Sequence, residues 1–174
     1  MKKIGTMLLL SFLITGCTQA QPDSKASKTE AVATSSNQVN APSFFHLSVL
    51  KDVNWEEAPS FIDGKIPLKG IEGKIAMADS PIIANEQNEI MWYFLDSEIP
   101  TGKLSIIALK QGSVTPTPVL FQKEISKQTW TTSNTINSTT SELPLAMSLP
   151  SSGLWLLNIY VNEKYYDQFV ITAK

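Results

Sequence analysis

The sequence predicts an all-β fold, an immunoglobulin-like antiparallel β-sandwich of about seven strands that spans residues 60–174. Two observations carry this prediction. Short apolar runs rich in β-branched and aromatic residues alternate with turns that contain Pro, Gly and Ser, as they do in small β-sandwiches. In addition, no stretch has apolar residues that repeat at helical spacing, which a helical domain would require.

The clearest pattern is a β-hairpin over residues 154–173, with a polar turn at residues 162–164. A two-residue turn would place Trp155 opposite Val170, whereas a three-residue turn would place Trp155 opposite Ile171. A slip of one residue sends every side chain of a strand to the other face. Because the three-residue turn brings large apolar side chains together, we expect that turn.

Five further strands are expected before this hairpin, each at a short apolar run. Their ranges are residues 74–78, 89–95, 103–110, 119–125 and 143–149. The second of these runs is apolar on both faces, which is typical of a central strand. In the fourth, Val119, Phe121 and Ile125 are expected to share one face, because side chains alternate along a strand. The fifth carries Pro144, which suits a sheet edge.

The stretches between these runs are expected to be irregular. Residues 61–73 contain three Gly and one Pro, which indicates turns between short extended pieces. Residues 129–141 are dominated by Ser and Thr and predict a polar crossover. Residues 43–59 mix aromatic and polar side chains and are interpreted as an edge strand or a lead-in segment attached to the domain.

The N-terminus resembles the signal peptide of a bacterial lipoprotein, over residues 1–16. A short apolar run at residues 7–14 follows two lysines, and it is too short to span a bilayer. The residues from Leu13 to Cys17 resemble a lipobox, which implies cleavage before Cys17 and acyl chains, such as palmitate, carried on that cysteine. An ordinary signal peptide followed by a chance cysteine is the alternative. Cys17 is the only cysteine, so an internal disulfide is excluded.

The segment after this cysteine is expected to be a tether. Residues 18–42 contain no aromatic side chain and are mostly small or polar, so they cannot bury enough apolar surface to fold alone. A flexible chain of this length reaches roughly 25–30 Å. We therefore expect a lipid-anchored protein, with residues 17–42 as lipidated cysteine and spacer, on the outer face of the cytoplasmic membrane of a Gram-positive cell.

Composition excludes several classes of function. The formal net charge is −2 and the chain contains no arginine, whereas a nucleic-acid surface needs clustered positive charge. His46 is the only histidine, which excludes a multi-histidine zinc site. Residues 79–89 offer carboxylates but lack the alternating Asp pattern of a calcium loop. No Gly-rich phosphate loop is present, so neither a metal nor a cofactor is expected.

No set of catalytic residues is evident, and we expect no enzyme activity. A Ser-His-Asp arrangement would have to use His46, and the chain lacks the Gly-x-Ser-x-Gly motif that exposes a nucleophilic serine. Acidic pairs such as Asp96 with Glu98 could catalyse hydrolysis. The interpretation is therefore a non-catalytic binding module that contacts a cell-wall polymer or an envelope protein. The alternative is a carboxylate-based hydrolase of envelope polymers.

Tryptophans supply the remaining candidates for a binding site. Trp92 and Trp155 lie in strongly apolar runs and are expected in the core. Trp130 and Trp55 lie in polar surroundings, where an indole can anchor a protein or a glycan. Trp130 is the first choice, because a long connection in a small domain is often functional. The alternative is that each indole packs as a lid over one end of the sandwich.

From about residue 73 onward the chain resembles a group of lipoproteins from Bacillus-type Gram-positive bacteria, the DUF4871-like group. The residues that carry this resemblance are Ser80 with Pro81, residues 91–94, the run 103–110 and, above all, residues 147–162. The resemblance implies an immunoglobulin-like fold and a location in the cell envelope. That group has no established activity, so the resemblance assigns no functional residue.

Overall fold

Ten strands and one short 3-10 helix make up the regular structure of this computed structural model, which describes residues 41–96, 100–126, 131–132 and 141–174. In chain order these elements are η1 (Leu47–Leu50), β1 (Ser60–Asp63), β2 (Ile66–Ile71), β3 (Ile75–Ala78), β4 (Asn88–Phe94), β5 (Gly102–Lys110), β6 (Thr117–Ile125), β7 (Thr131–Thr132), β8 (Ser141–Met147), β9 (Gly153–Val161) and β10 (Lys164–Ala173). Within the described ranges, no helix has the length and apolar character needed to cross a membrane.

The strands form two antiparallel sheets. Sheet A has the order β1-β2-β3-β4-β8-β7, and sheet B has the order β10-β9-β5-β6. The order β3-β4-β8-β7 corresponds to strands A-B-E-D of an immunoglobulin domain, and β10-β9-β5 corresponds to G-F-C, with β6 in the position of C′. The predicted all-β sandwich is therefore confirmed. The seven expected strands correspond to β3, β4, β5, β6, β8, β9 and β10. Strands β1 and β2 lie in residues 60–71, where the glycines predict turns between short extended pieces.

The main core lies between the two sheets and includes both tryptophans expected there. Trp92 on β4 is 0% exposed and Trp155 on β9 is 3% exposed. They belong to one cluster that also contains Phe94, Leu157 and Ile171. The indole Nε1 of Trp155 donates a hydrogen bond to the backbone oxygen of Ser151 at 2.9 Å, so its polar atom is satisfied although it is buried.

The C-terminal hairpin has the expected pairing but not the expected turn. Trp155 lies opposite Ile171, as predicted, yet the turn contains only Asn162 and Glu163, whose φ angles are 51° and 62°. Two positive φ angles are characteristic of a type I′ turn. The ladder then shifts by one residue at Tyr166, and this bulge supplies the residue that we had assigned to the turn. The predicted three-residue turn was therefore wrong, although its register was right.

Strand β6 differs from the expected alternation at Phe121. Two register shifts interrupt its pairing with β5, and Gln122 has a φ of 49°. Bulges of this kind re-aim the side chains beside them. Val119 packs against the core between the sheets, whereas Phe121 is 53% exposed. The prediction that Phe121 shares a face with Val119 and Ile125 was wrong, because simple alternation does not hold across a bulge.

The segment before β1 covers the outer face of sheet B. That face carries a second cluster of buried side chains from β5, β9 and β10, to which Phe45 also belongs. Phe44, Val49, Val53 and Trp55 pack against this cluster and are partly buried. Sheet B is apolar on both faces, and the lead-in segment of residues 43–59 removes much of the outer apolar surface from water. It contains η1 rather than a strand.

Candidate functional site

An open cleft lies where the lead-in segment crosses the C-terminal hairpin, and we call it the outer cleft. It has a volume of about 390 Å³, within the range of ligand pockets. The lining consists of Phe44, His46, Ser48, Val49, Lys51, Tyr160, Glu163, Tyr165 and Gln168. The cleft therefore combines aromatic rings with neutral and charged hydrogen-bonding groups.

The aromatic part of the outer cleft extends into a row of four rings. Phe121 stacks on Phe44 at a centroid distance of 6.4 Å and an interplanar angle of 9°. Phe44 contacts Tyr160 at 5.0 Å, and Tyr160 contacts Tyr165 edge-on at 6.0 Å. All these distances fall in the range of favourable aromatic pairs. We call the four residues the aromatic row, and it crosses the outer face from β6 to β10.

The bulge in β10 decides which of two adjacent tyrosines joins this row. Tyr165 lies opposite Tyr160 in the ladder and points outward, where it is 51% exposed. Tyr166, the extra residue, packs against the core between the sheets, with its ring 5.7 Å from that of Phe94. The bulge thus lets the hairpin contribute one tyrosine to each face.

The hydrogen-bonding groups of the outer cleft are held by the lead-in segment and the hairpin. The Nε2 of Gln168 donates to the backbone oxygen of Val49 at 3.3 Å, which ties β10 to η1. Its Oε1 is buried and has no hydrogen-bond partner among the described residues. Burial, together with the neighbouring Tyr165, raises the pKa of Tyr160 to about 12. The Tyr160 hydroxyl is therefore uncharged at neutral pH.

A second cleft of about 250 Å³ lies at the seam between the sheets and is built around an ion-pair network. Lys69 on β2 lies 2.7 Å from Glu57 and 3.2 Å from Asp79. The hydrogen bond from Lys69 lowers the pKa of Glu57. A hydrogen bond from Ser60, and then the contact with Lys69, lower the pKa of Asp79. Because these charges already satisfy one another, we assign this cleft a structural role.

The structure locates some of the sequence-predicted site residues. Trp55 is partly buried against the outer-face cluster and is not part of the lining of the outer cleft. Cys17, Trp130 and Glu98 lie outside the described residues. His46 lines the outer cleft and is exposed. Among the described ranges, no three His, Cys, Asp or Glu side chains group closely enough to hold a metal ion.

None of the residues that line the outer cleft is expected from the sequence to bind a ligand. Tyr160 and Tyr165 lie within the predicted hairpin, and no local pattern marks them as binding residues. One signal was available, because β9 is apolar on both faces, so the outer face of sheet B had to be covered by another segment. The adjacent residues Phe44 and Phe45, near the start of the lead-in segment, are the aromatic side chains that could cover the outer face of sheet B.

Comparisons with known proteins agree with this fold. The chain is similar to a solved structure described as "X-ray Crystal Structure of a Putative Lipoprotein from Bacillus anthracis", at 87% identity and a TM-score of 0.67, over 80% of this chain and 100% of that chain. A comparison with curated proteins finds no match. The family model described as "Domain of unknown function (DUF4871)" matches residues 44–171. This range includes nearly all of the lead-in segment, the aromatic row and all ten strands except the last residues of β10. The chain therefore belongs to the DUF4871 family of lipoprotein domains.

Proposed function

We propose that this protein is a non-catalytic binding module, anchored to the cell membrane by lipid and displayed on its outer face. The observation that carries the proposal is the outer cleft, an open and partly aromatic site that the lead-in segment builds on an otherwise ordinary sandwich. Clefts of this size and mixed lining are typical of ligand sites. The partner is a component of the cell envelope, either a wall polymer or an envelope protein.

The similarity to the structure described as "a Putative Lipoprotein from Bacillus anthracis" supports the membrane anchor, and Cys17 is the residue we propose to carry it. Two acyl chains hold a protein at a membrane far more firmly than one chain does. Cys17→Ala should therefore shift the full-length protein from the membrane fraction of a Gram-positive host to the unprocessed or released pool. Membrane fractionation equal to that of the native protein would contradict the anchor.

Binding is favoured over hydrolysis by the charges of the outer cleft. Among the described residues, its lining contains one carboxylate, that of Glu163, whereas carboxylate-based hydrolysis uses two acidic groups that face each other across the scissile bond. Asp96, the described member of the alternative pair with Glu98, is not part of this lining. A binding surface needs no second carboxylate, because aromatic and amide groups supply its contacts.

The test uses the purified full-length protein mixed with isolated cell-wall material and, separately, with membrane proteins. We expect retention on one of these materials without release of soluble fragments. Tyr165→Ala should weaken retention, whereas Ile62→Ala, an exposed change on β1, should leave it intact. Released fragments would support the hydrolase instead, and retention on neither material would contradict the binding module. Trp130→Ala in the same assay tests Trp130, which we also propose as a binding residue. Trp55→Ala tests whether Trp55, partly buried against the outer-face cluster, binds the partner as well or only packs.

A further inference from the structure

The aromatic row is continuous across the outer face of sheet B, and its two ends are the exposed ones. Phe121 and Tyr165 are 53% and 51% exposed, whereas Tyr160 in the middle is buried. The outer cleft lies at the Tyr165 end, and a second, apolar groove of about 400 Å³ lies at the other end between Pro118, Phe121 and Pro42. Phe44 separates the two hollows and contacts rings on both sides.

We infer that the aromatic row is the floor of an extended site for an uncharged polysaccharide chain, which lies across the strands and occupies both hollows. The inference rests on the proposed function and adds the ligand class. A site with two hollows on either side of a ring is suited to a polymer of several sugar units rather than to a single small molecule. The exposed rings at the ends supply stacking faces for the sugar units that bind there.

The groups beside the aromatic row fit a ligand rich in hydroxyls. Ser48 and Gln168 line the outer cleft with the Tyr160 side chain, and a hydroxyl group can both donate to and accept from such side chains. The charged groups of the lining include one lysine, Lys51, and one carboxylate, Glu163, so their formal charges cancel. An uncharged ligand is therefore favoured over an anionic or a cationic polymer.

Charge and geometry each argue against one other polymer that binds aromatic surfaces. Single-stranded nucleic acid stacks on aromatic rings but needs a positively charged groove, and the chain has no arginine and a formal charge of −2. Proline-rich peptides insert into grooves lined by aromatic side chains. In the aromatic row, however, each ring packs directly on its neighbour at 5.0–6.4 Å, so no slot is left between rings for a proline.

The test measures binding of the full-length protein, in detergent, to uncharged oligosaccharides of increasing length. Cello-oligosaccharides and N-acetylglucosamine oligosaccharides, each from the monosaccharide to the hexasaccharide, are titrated by calorimetry. We expect affinity to rise with chain length until the row is filled. Tyr165→Ala and Phe121→Ala should each lower the affinity for the hexasaccharide by roughly tenfold, because each change removes about one stacking contact.

Two control variants make the result specific. Tyr165→Phe keeps the ring and should retain most of the affinity, and Ile62→Ala on the opposite sheet should bind like the native protein. Melting temperatures of all variants show whether each is folded. The inference would be overturned if affinity does not depend on the length of the oligosaccharide. It would also be overturned if the Tyr165→Ala and Phe121→Ala proteins are folded and bind normally.

The outcome also separates this inference from the proposed function. If the protein is retained on membrane proteins or wall material but binds neither oligosaccharide series, the polysaccharide site is wrong and the binding module stands. If a proline-rich peptide binds and the sugars do not, the polysaccharide site is also wrong and the binding module stands. If the protein binds no oligosaccharide and is retained on no envelope material, both proposals fail.

Discussion

The Nζ of Lys74 lies 2.6 Å from the Oδ2 of Asp167, an ion pair that links the β2–β3 turn of sheet A to the bulged part of β10 in sheet B. The same ammonium donates to the backbone oxygen of Tyr166 at 3.1 Å and lies 5.2 Å from the centre of that tyrosine's ring. Lys74 thus satisfies the carbonyl of the bulge residue while it joins the two sheets. The bulge in turn directs Tyr165 into the aromatic row.

Lys74→Ala should destabilise the domain because it removes these contacts together. Lys74 is 38% exposed, so solvent screens the ion pair, and we expect a loss of about 1 kcal/mol in the free energy of unfolding. That corresponds to a fall of roughly 3–5 °C in melting temperature. Lys65→Ala, an exposed lysine in the β1–β2 turn, is the matched control and should change the melting temperature little. Equal effects of the two changes would contradict the linking role.

Glu163→Gly should stabilise the hairpin. Glu163 occupies the second position of the type I′ turn at a φ of 62°, a left-handed conformation that costs most residues roughly 1–2 kcal/mol. Glycine adopts it freely, and Asn-Gly is the preferred sequence for this turn. We expect a gain of about 1 kcal/mol in a urea titration, and no gain for Glu163→Ala. The assignment fails if alanine stabilises as much as glycine.

Gly102→Ala should be far more destabilising than Gly112→Ala. Both glycines have positive φ angles, 117° and 78°. A methyl group on Gly102 would overlap the amide of Asn162, whose Oδ1 accepts from the backbone N–H of Lys103 at 2.9 Å. A methyl group on Gly112 would meet open space. We expect the free energy of unfolding to fall by about 3 kcal/mol for Gly102→Ala and by about 1 kcal/mol for Gly112→Ala. Equal losses for the two variants, measured by chemical denaturation, would exclude the steric explanation.

The free energy of unfolding of the domain should decrease in acid because of the ion pairs at the seam between the sheets. Glu57 and Asp79 have pKa values lowered from their ordinary 4.5 and 3.8. A carboxylate with a lowered folded-state pKa contributes stability that is fully present above about pH 5 and is lost as the pH falls through that lowered value. Lys69→Met removes one cause of both shifts, so its unfolding free energy should depend less steeply on pH below about pH 5. Lys65→Met should keep the native pH dependence, and an unchanged acid slope for Lys69→Met would refute the explanation.

Trp55→Ala distinguishes packing from binding at this tryptophan. Trp55 is partly buried against the outer-face cluster, so truncation should cost roughly 1–3 kcal/mol and lower the melting temperature. It should leave oligosaccharide affinity unchanged in the folded protein, because Trp55 is not in the lining of the outer cleft. An unchanged melting temperature combined with weaker retention on envelope material would instead identify Trp55 as a binding residue.

Much of the sandwich could be predicted because alternation and turn residues are local signals. The runs that became β4 and β9 were recognisable from their apolar residues alone, and so was the pairing of Trp155 with Ile171. The type I′ turn and the bulge at Tyr166 could not be separated from a longer turn, since both give the same register. The exposure of Phe121 depends on bulges in β6, which leave no clear mark in the sequence.

The sequence by itself determined the fold class, the central strands and the apolar residues of the core, because burial of those side chains dominates the free energy of folding. It also pointed to an N-terminal lipid anchor at Cys17. Only the tertiary structure decided that the lead-in segment covers sheet B and that Phe44, Tyr160 and Tyr165 meet. These residues are far apart in the chain, and their contact depends on strand order and on one bulge, which local patterns do not specify.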